Sequence, residues 1–205
     1  MNEWCSFIDK IIYINLDRRT DRLQHIQQEF KRLNIPDEKI IRFAGINHEY
    51  PNSGCNLSHA AALKYAYDNN LNNVLILEDD FKFIDDLNLI NTSIKYFFNK
   101  IKEWDVLLFT DSNIQSKDYD SVLNKCIKST NASAYLVNRN IMLYLSQLIE
   151  DAAIPLANTH AHWLYQNDVV WQSFMQTGKW YSFKIRLGNQ MDGYSDLSNA
   201  YKIHN

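Results

Sequence analysis

Val74-Leu75-Ile76-Leu77-Glu78-Asp79-Asp80-Phe81 runs four apolar residues straight into three consecutive acids. An unbroken apolar stretch of this length predicts a strand buried on both faces, as in the middle of a parallel sheet. In open α/β sheets, ligands bind in the crevice beyond the carboxyl ends of the strands. Carboxylates gathered there need a positive partner, because unpaired buried charge is strongly disfavoured. A hard divalent cation, Mn²⁺ or Mg²⁺, takes oxygen ligands and commonly shares them with a phosphate. A solvated acidic turn after a strand is the plainer reading of the same residues. In an extended chain Glu78 and Asp80 would project to one side and Asp79 to the other.

On either side of this stretch the pattern alternates between strand and helix. KIIYIN (10–15) and KIIRFA (39–44) predict strands. Leu23, Ile26 and Phe30 fall at helical spacing within 18–33, and Asn34-Ile35-Pro36 ends that helix. A second helix is expected over 55–67. Beyond the acids we expect helices at 91–102, 139–150 and 164–175, strands at 104–110 and 133–138, and short strands near Trp180 and Ile185. The tail from Gly188 reads as irregular. This alternation predicts an α/β fold with a mainly parallel central sheet flanked by helices. The expected organisation is a single domain over 1–205, with a nucleotide-binding half at about 1–110 and an acceptor-side half at about 111–205.

Composition narrows the function classes. A net charge of −3 with no basic stripe disfavours a nucleic-acid partner. No stretch approaches the length of a membrane span. The first ten residues carry two acids and no long apolar run, unlike a secretory signal. Cys5, Cys55 and Cys126 match neither a disulfide framework nor a paired zinc motif, which suits a reducing compartment; the expected location is the cytoplasm.

Other residues could carry chemistry. Asn15-Leu16-Asp17-Arg18-Arg19-Thr20-Asp21-Arg22 spans the turn from the first strand to the first helix, with Asp17 a candidate N-cap. Arginines in a first helical turn run against the helix dipole. Either Asp17 and Asp21 neutralise them, or they face an anion that the free N–H groups of the helix end also attract. Cys55 and His59, four apart, could share a helix face, but two ligands do not make a zinc site. From spacing alone His59 reads as a hydrogen-bonded core residue. Asp168 reads alone as a helix N-terminal acid, or as a general base if it faces the crevice.

Five blocks in order resemble one known family. They are IIYINLDRRTDR (11–22), GCNLSHAAALKYA (54–66), VLILEDDF (74–81), TNASAYLVNR (130–139), and NDVVWQSFMQTGKWYSF (167–183) with LGNQ (187–190) and GYSDLSN (193–199). They are similar to glycosyltransferase family 25, which includes lipopolysaccharide-type and collagen galactosyltransferases. The resemblance implies a GT-A type fold and a nucleotide-sugar donor held through Mn²⁺ or Mg²⁺. It also implies inversion at the sugar carbon, with a carboxylate as base. Carried onto this chain, it implies Glu78 and Asp80 as metal ligands and Asp168 as the base. It further implies that Asn15, Leu16, Arg18, Arg22, Ser58, His59, Asp79 and Gln190 lie around the donor, and that Ser195 and Asp196 belong to a closing tail. The acidic motif reads Glu-Asp-Asp where many GT-A enzymes spell D-x-D. The expected function is transfer of a hexose, galactose or glucose, from a UDP-sugar to a hydroxyl of a glycan or protein acceptor. A metal-dependent nucleotidyltransferase or phosphohydrolase, and a non-catalytic nucleotide-sugar-binding domain, are the alternatives.

Overall fold

A computed structural model describes residues 3–204 of the protein. The apolar run forms β3 (Asn73–Glu78), the third strand after β1 (Lys10–Asn15) and β2 (Ile40–Ala44). Helices α1 (Thr20–Arg32) and α2 (Pro51–Asp68) connect these strands, giving two parallel crossovers. After β3 come β4 (Phe81–Phe83), α3 (Leu87–Lys100), β5 (Val106–Leu108), a hairpin of β6 (Ser112–Asp118) and β7 (Leu123–Thr130), then β8 (Ala134–Asn138) and α4 (Arg139–Thr159). Three one-turn helices follow, α5 (His162–Tyr165), α6 (Asn167–Val170) and α7 (Gln172–Met175), then β9 (Trp180–Phe183) and the short strands β10 (Gly188–Gln190), β11 (Gly193–Ser195) and β12 (Ala200–Lys202).

Eight strands form one sheet in the order β2-β1-β3-β8-β5-β9-β7-β6. Six of them point the same way; β8 and β7 run against the rest. β3 is therefore central but has β1 parallel on one side and β8 antiparallel on the other, so its environment is mixed. Both its faces are buried, as the apolar run demands. Leu75 and Leu77 pack with Ile26 and Phe30 of α1 and Ile94 and Phe97 of α3. Val74 and Ile76 pack with Leu63 of α2 and Leu145 and Ile149 of α4. The result is a three-layer α/β/α arrangement, with the acids at the open end of the middle layer.

Several expectations are corrected. The hairpin β6–β7 departs from the expectation, because its strands are mostly polar, with no apolar run, and β6 is the sheet's last strand. Helix α4 continues nine residues past 150, through Pro155, and ends at His160 in the left-handed region (φ 58°). The single helix expected over 164–175 is three separate turns, and no strand forms at Ile185. Asp17 does not cap α1; it pairs with Arg42 at 2.5 Å. The tail from Gly188 is not wholly irregular. β10 pairs antiparallel with β4, setting Gln190 opposite Phe81. A Cβ on Gly188 would lie 2.3 Å from Phe81 and 2.4 Å from the Lys82 carbonyl, so only glycine lets the tail approach this closely. Elsewhere asparagine takes the left-handed positions: Asn34, Asn70, Asn131 and Asn199 have positive φ, and no described glycine does.

Candidate active site

The acidic end of β3 opens into a crevice lined by the N-terminal end of α1, the first turns of α2 and the C-terminal tail. Strand geometry stops at Glu78, and the chain turns at Asp79 and Asp80. The expected splay, with Asp79 opposite Asp80, is therefore corrected: both turn onto Arg22. Its Nη1 lies 2.9 Å from Asp80 and 3.2 Å from Asp79. Asn15, at the end of β1, donates from Nδ2 to Asp79 at 2.7 Å. Glu78 diverges instead. One of its oxygens lies 3.3 Å from His59 Nε2 and the other accepts from Gln190 Nε2 at 3.3 Å. Gln190 also reaches Asp80 at 3.5 Å, so the β4–β10 pairing ties the tail to the acids.

Electrostatics mark Asp80 as the stressed group. Burial, then the neighbouring Glu78, pushes its carboxyl up to about 7, although Arg22 pulls the other way. Its Oδ1 is buried with no hydrogen-bond partner among the described residues. Asp79 is also raised, chiefly by burial, against the pull of Arg22 and Asn15. Glu78 behaves differently. Burial pushes it up, but its hydrogen bond to His59 and the charges of His59 and Arg22 hold it below the ordinary carboxylate range. Glu78 and Asp80 are thus the oxygen donors that could hold a divalent cation.

The arginines divide their partners. Arg19 pairs with Asp21 at 2.8 Å and with Asp196 of the tail at 2.5 Å. Arg18 reaches Asp196 at 3.1 Å and Asn47 at 2.5 Å. Arg22 also donates to the Tyr194 carbonyl at 2.9 Å. Local neutralisation by Asp21 therefore accounts for Arg19 alone, while Asp17 neutralises none of the three. All three arginines line the crevice, together with Leu16 and Ser195.

Helix α2 supplies the far wall. Ser58 accepts from the Ile46 amide at 2.8 Å and donates to the Gly54 carbonyl at 2.6 Å, which fixes the 45–48 loop over the crevice. At Gly54 a Cβ would stand 2.6 Å from the Ile46 carbonyl, so the loop requires glycine there. His59 is buried, with Nδ1 at 3.1 Å from Tyr135 Oη, as its spacing led us to expect, and it also borders the crevice. Cys55 stands one turn before His59, its thiol pushed well up by burial and then by Glu78.

Asp168 sits in α6 beside the crevice. Its Oδ2 accepts from the Asn131 amide at 2.8 Å. Burial raises this carboxyl, the Asn131 amide lowers it, and the net shift is upward. Asp168, Cys55, Glu78 and Gln190 line a second cavity, with His162 and the 64% exposed Trp163 at its mouth. The two cavities share Cys55, Glu78, Gln190 and Leu197. The structure thus brings Leu16, Arg18, Arg22, Ser58, His59, Glu78, Asp79, Asp80, Asp168 and Gln190 to two adjoining cavities, whereas Asn15 lines neither and reaches the site through Asp79. Arg19 and Tyr135 were not singled out. Arg19 carried a signal, since it lies inside the arginine run; Tyr135 carried none, being one more aromatic residue in a strand.

No helix among the described residues is long and apolar enough to cross a membrane. The sequence model of glycosyltransferase family 25 (LPS biosynthesis protein) matches residues 50–167, more than half of the chain. That span includes Ser58, His59, Glu78, Asp79 and Asp80; the α1 arginines, Asp168 and Gln190 lie outside it. A search of curated proteins finds no match. Among solved structures, a cytidylyltransferase from Leptospira borgpetersenii aligns with a TM-score of 0.50 at 9% identity, over 87% of this chain and 76% of that one. The A197 protein of STIV aligns with a TM-score of 0.49 at 13% identity, over 97% and 95% of the two chains. A glycosyltransferase involved in glycosylation of the major capsid of PBCV-1 aligns with a TM-score of 0.47 at 7% identity, over 85% and 92%. The fold is the expected GT-A type, with helices on both faces of a mixed, mainly codirectional sheet.

Proposed function

The chain belongs to glycosyltransferase family 25, and from that premise we propose that it is a metal-dependent, inverting hexosyltransferase. Its donor is a UDP-sugar, UDP-galactose or UDP-glucose, and its acceptor is a hydroxyl of a glycan or protein. The observation that carries the metal is the buried, unpartnered Oδ1 of Asp80 beside Glu78 and Asp79. Arg22 is the guanidinium that bridges Asp79 and Asp80, while Glu78 turns to His59 and is linked to Asp80 through Gln190. A divalent cation fits the remaining demand, because oxygen donors suit Mn²⁺ and Mg²⁺. Glu78 and Asp80 would hold it, and bound there it would supply neutralising charge to the departing diphosphate.

The chain's own residues do the rest. Arg22 holds Asp79 and Asp80 in place. Arg18 and Arg19, at the start of α1, present guanidinium groups suited to phosphate once Asp196 lets them go. The 45–48 loop, held by Ser58, and the tail at 195–197 enclose the crevice and limit water. Asp168 accepts the acceptor's proton at Oδ1, while the Asn131 amide keeps Oδ2 fixed. Its raised pKa makes it a better base than an ordinary surface carboxylate. The cavity it shares with His162 and Trp163 suits an acceptor sugar, whose apolar face can lie on the exposed indole.

The test is product analysis with each UDP-hexose, a panel of glycan acceptors, and Mn²⁺ or chelator. The expected result is release of UDP with a glycosylated product, lost with chelator and in Asp80→Asn. Release of pyrophosphate or inorganic phosphate would instead place the chain's chemistry at a phosphorus atom.

A further inference from the structure

We propose that Cys55 Sγ, His59 Nε2 and Glu78 Oε1 form a three-ligand site for a zinc-class divalent ion, beside the oxygen donors around Asp80 and sharing Glu78 with them. The pair Cys55 and His59 falls short of a site in sequence for want of a third ligand; β3 delivers that ligand. The three donor atoms lie within 4.8 Å of one another. Zinc bonds of about 2.3 Å to sulfur and about 2.0–2.1 Å to nitrogen and oxygen, at tetrahedral angles, set nitrogen and oxygen about 3.3–3.4 Å apart and sulfur about 3.5–3.6 Å from either. The structure has His59 Nε2 at 3.3 Å and Cys55 Sγ at 3.8 Å from the same Glu78 oxygen. The third side of the triangle, Cys55 Sγ to His59 Nε2, is no longer than 4.8 Å, so an ion would draw the thiol inward.

Each ligand also carries an outer partner, the arrangement that orients ligands at metal centres. His59 has Nδ1 against Tyr135 Oη at 3.1 Å, which leaves Nε2 to face the ion. Cys55 Sγ accepts from Asn167 Nδ2 at 4.0 Å. The second Glu78 oxygen is held by Gln190. Donor chemistry separates this site from its neighbour: thiolate and imidazole favour Zn²⁺ over Mn²⁺ or Mg²⁺. All three ligands border the crevice, so the fourth coordination position faces the cavity. That is the open geometry in which zinc can take water or a substrate atom. The proposal does not depend on glycosyl transfer.

The test titrates metal-free protein with Co²⁺ and reads the thiolate-to-cobalt charge-transfer absorption. Wild type should develop the band, Cys126→Ser should keep it, and Cys55→Ser should lose it. Zn²⁺ affinity against a chromophoric chelator should fall at least about tenfold in Cys55→Ser and His59→Gln, and by a similar factor in Tyr135→Phe. Should Cys55→Ser not fold, wild-type protein answers alone: Zn²⁺, but not Mg²⁺, should protect Cys55 from alkylation, as read by peptide mass. Absence of the band in wild type, undiminished zinc affinity in Cys55→Ser, or loss of zinc binding in Asp80→Asn alone would each overturn the proposal.

Discussion

Asp80 and Asp168 are two aspartates at neighbouring cavities, and both carboxyls are raised by burial, yet their surroundings differ in kind. Asp80 has like charges beside it and an oxygen with no hydrogen-bond partner. Asp168 has a backbone amide holding one oxygen and lines the second cavity. In our proposal the first arrangement receives a cation and the second accepts a proton. Environment, not residue type, divides the roles, as it does wherever two carboxylates in one site are pushed toward different tasks.

Substitutions can break that division. Asp80→Asn should reduce transfer by roughly 10³-fold or more, the scale of the several kcal/mol a catalytic metal supplies. Asp168→Asn should lower kcat by about 10²–10⁴-fold with donor KM and metal affinity unchanged. Steady-state kinetics with metal titration separates the two. Equal loss of metal binding in both variants would erase the distinction.

pH offers a second separation. Asp80 is raised from an ordinary carboxylate value to about 7 in the folded chain. Its contribution to stability is therefore fully present below about pH 4 and is lost as pH rises through about 7. Metal-free protein should lose part of its melting temperature across that window, and Asp80→Asn should flatten the loss. Metal affinity should run the opposite way, strengthening as the proton leaves. A melting profile identical for both proteins would contradict this reading of Asp80.

Smaller effects test the rims. Trp163→Ala should raise acceptor KM by about tenfold, the scale of one aromatic contact, and leave donor binding alone. Asp196→Asn should free Arg18, leave Arg19 still held by Asp21, and tighten nucleoside diphosphate binding only by roughly two- to threefold, because an ion pair open to solvent such as that of Arg18 contributes little. Calorimetry on each variant reads both.

The part of the fold around β3 was legible because its signals are local. An apolar run, an amphipathic α1 and a stop at Asn34-Ile35-Pro36 each act within a few residues. The acids announced the site for the same reason: nothing in a buried strand end explains three of them. What lay beyond reading was made by distant partners. The polar strands β6 and β7 acquire their place only through β9. Pro155 would ordinarily end a helix, yet α4 runs through it, packed on α2. Within the site, the turn after Glu78 brings Asp79 and Asp80 onto Arg22, which strand alternation did not foresee. The link from Glu78 to Cys55 and His59 crosses from β3 to α2 and has no trace in spacing.

The most direct test of the central claim is calorimetric titration of UDP into wild type and Asp80→Asn, each with Mn²⁺ and with chelator. Our account predicts binding to wild type that requires Mn²⁺ and disappears in the folded variant. Equal affinity with chelator, or Mn²⁺-dependent binding retained in Asp80→Asn, would contradict it.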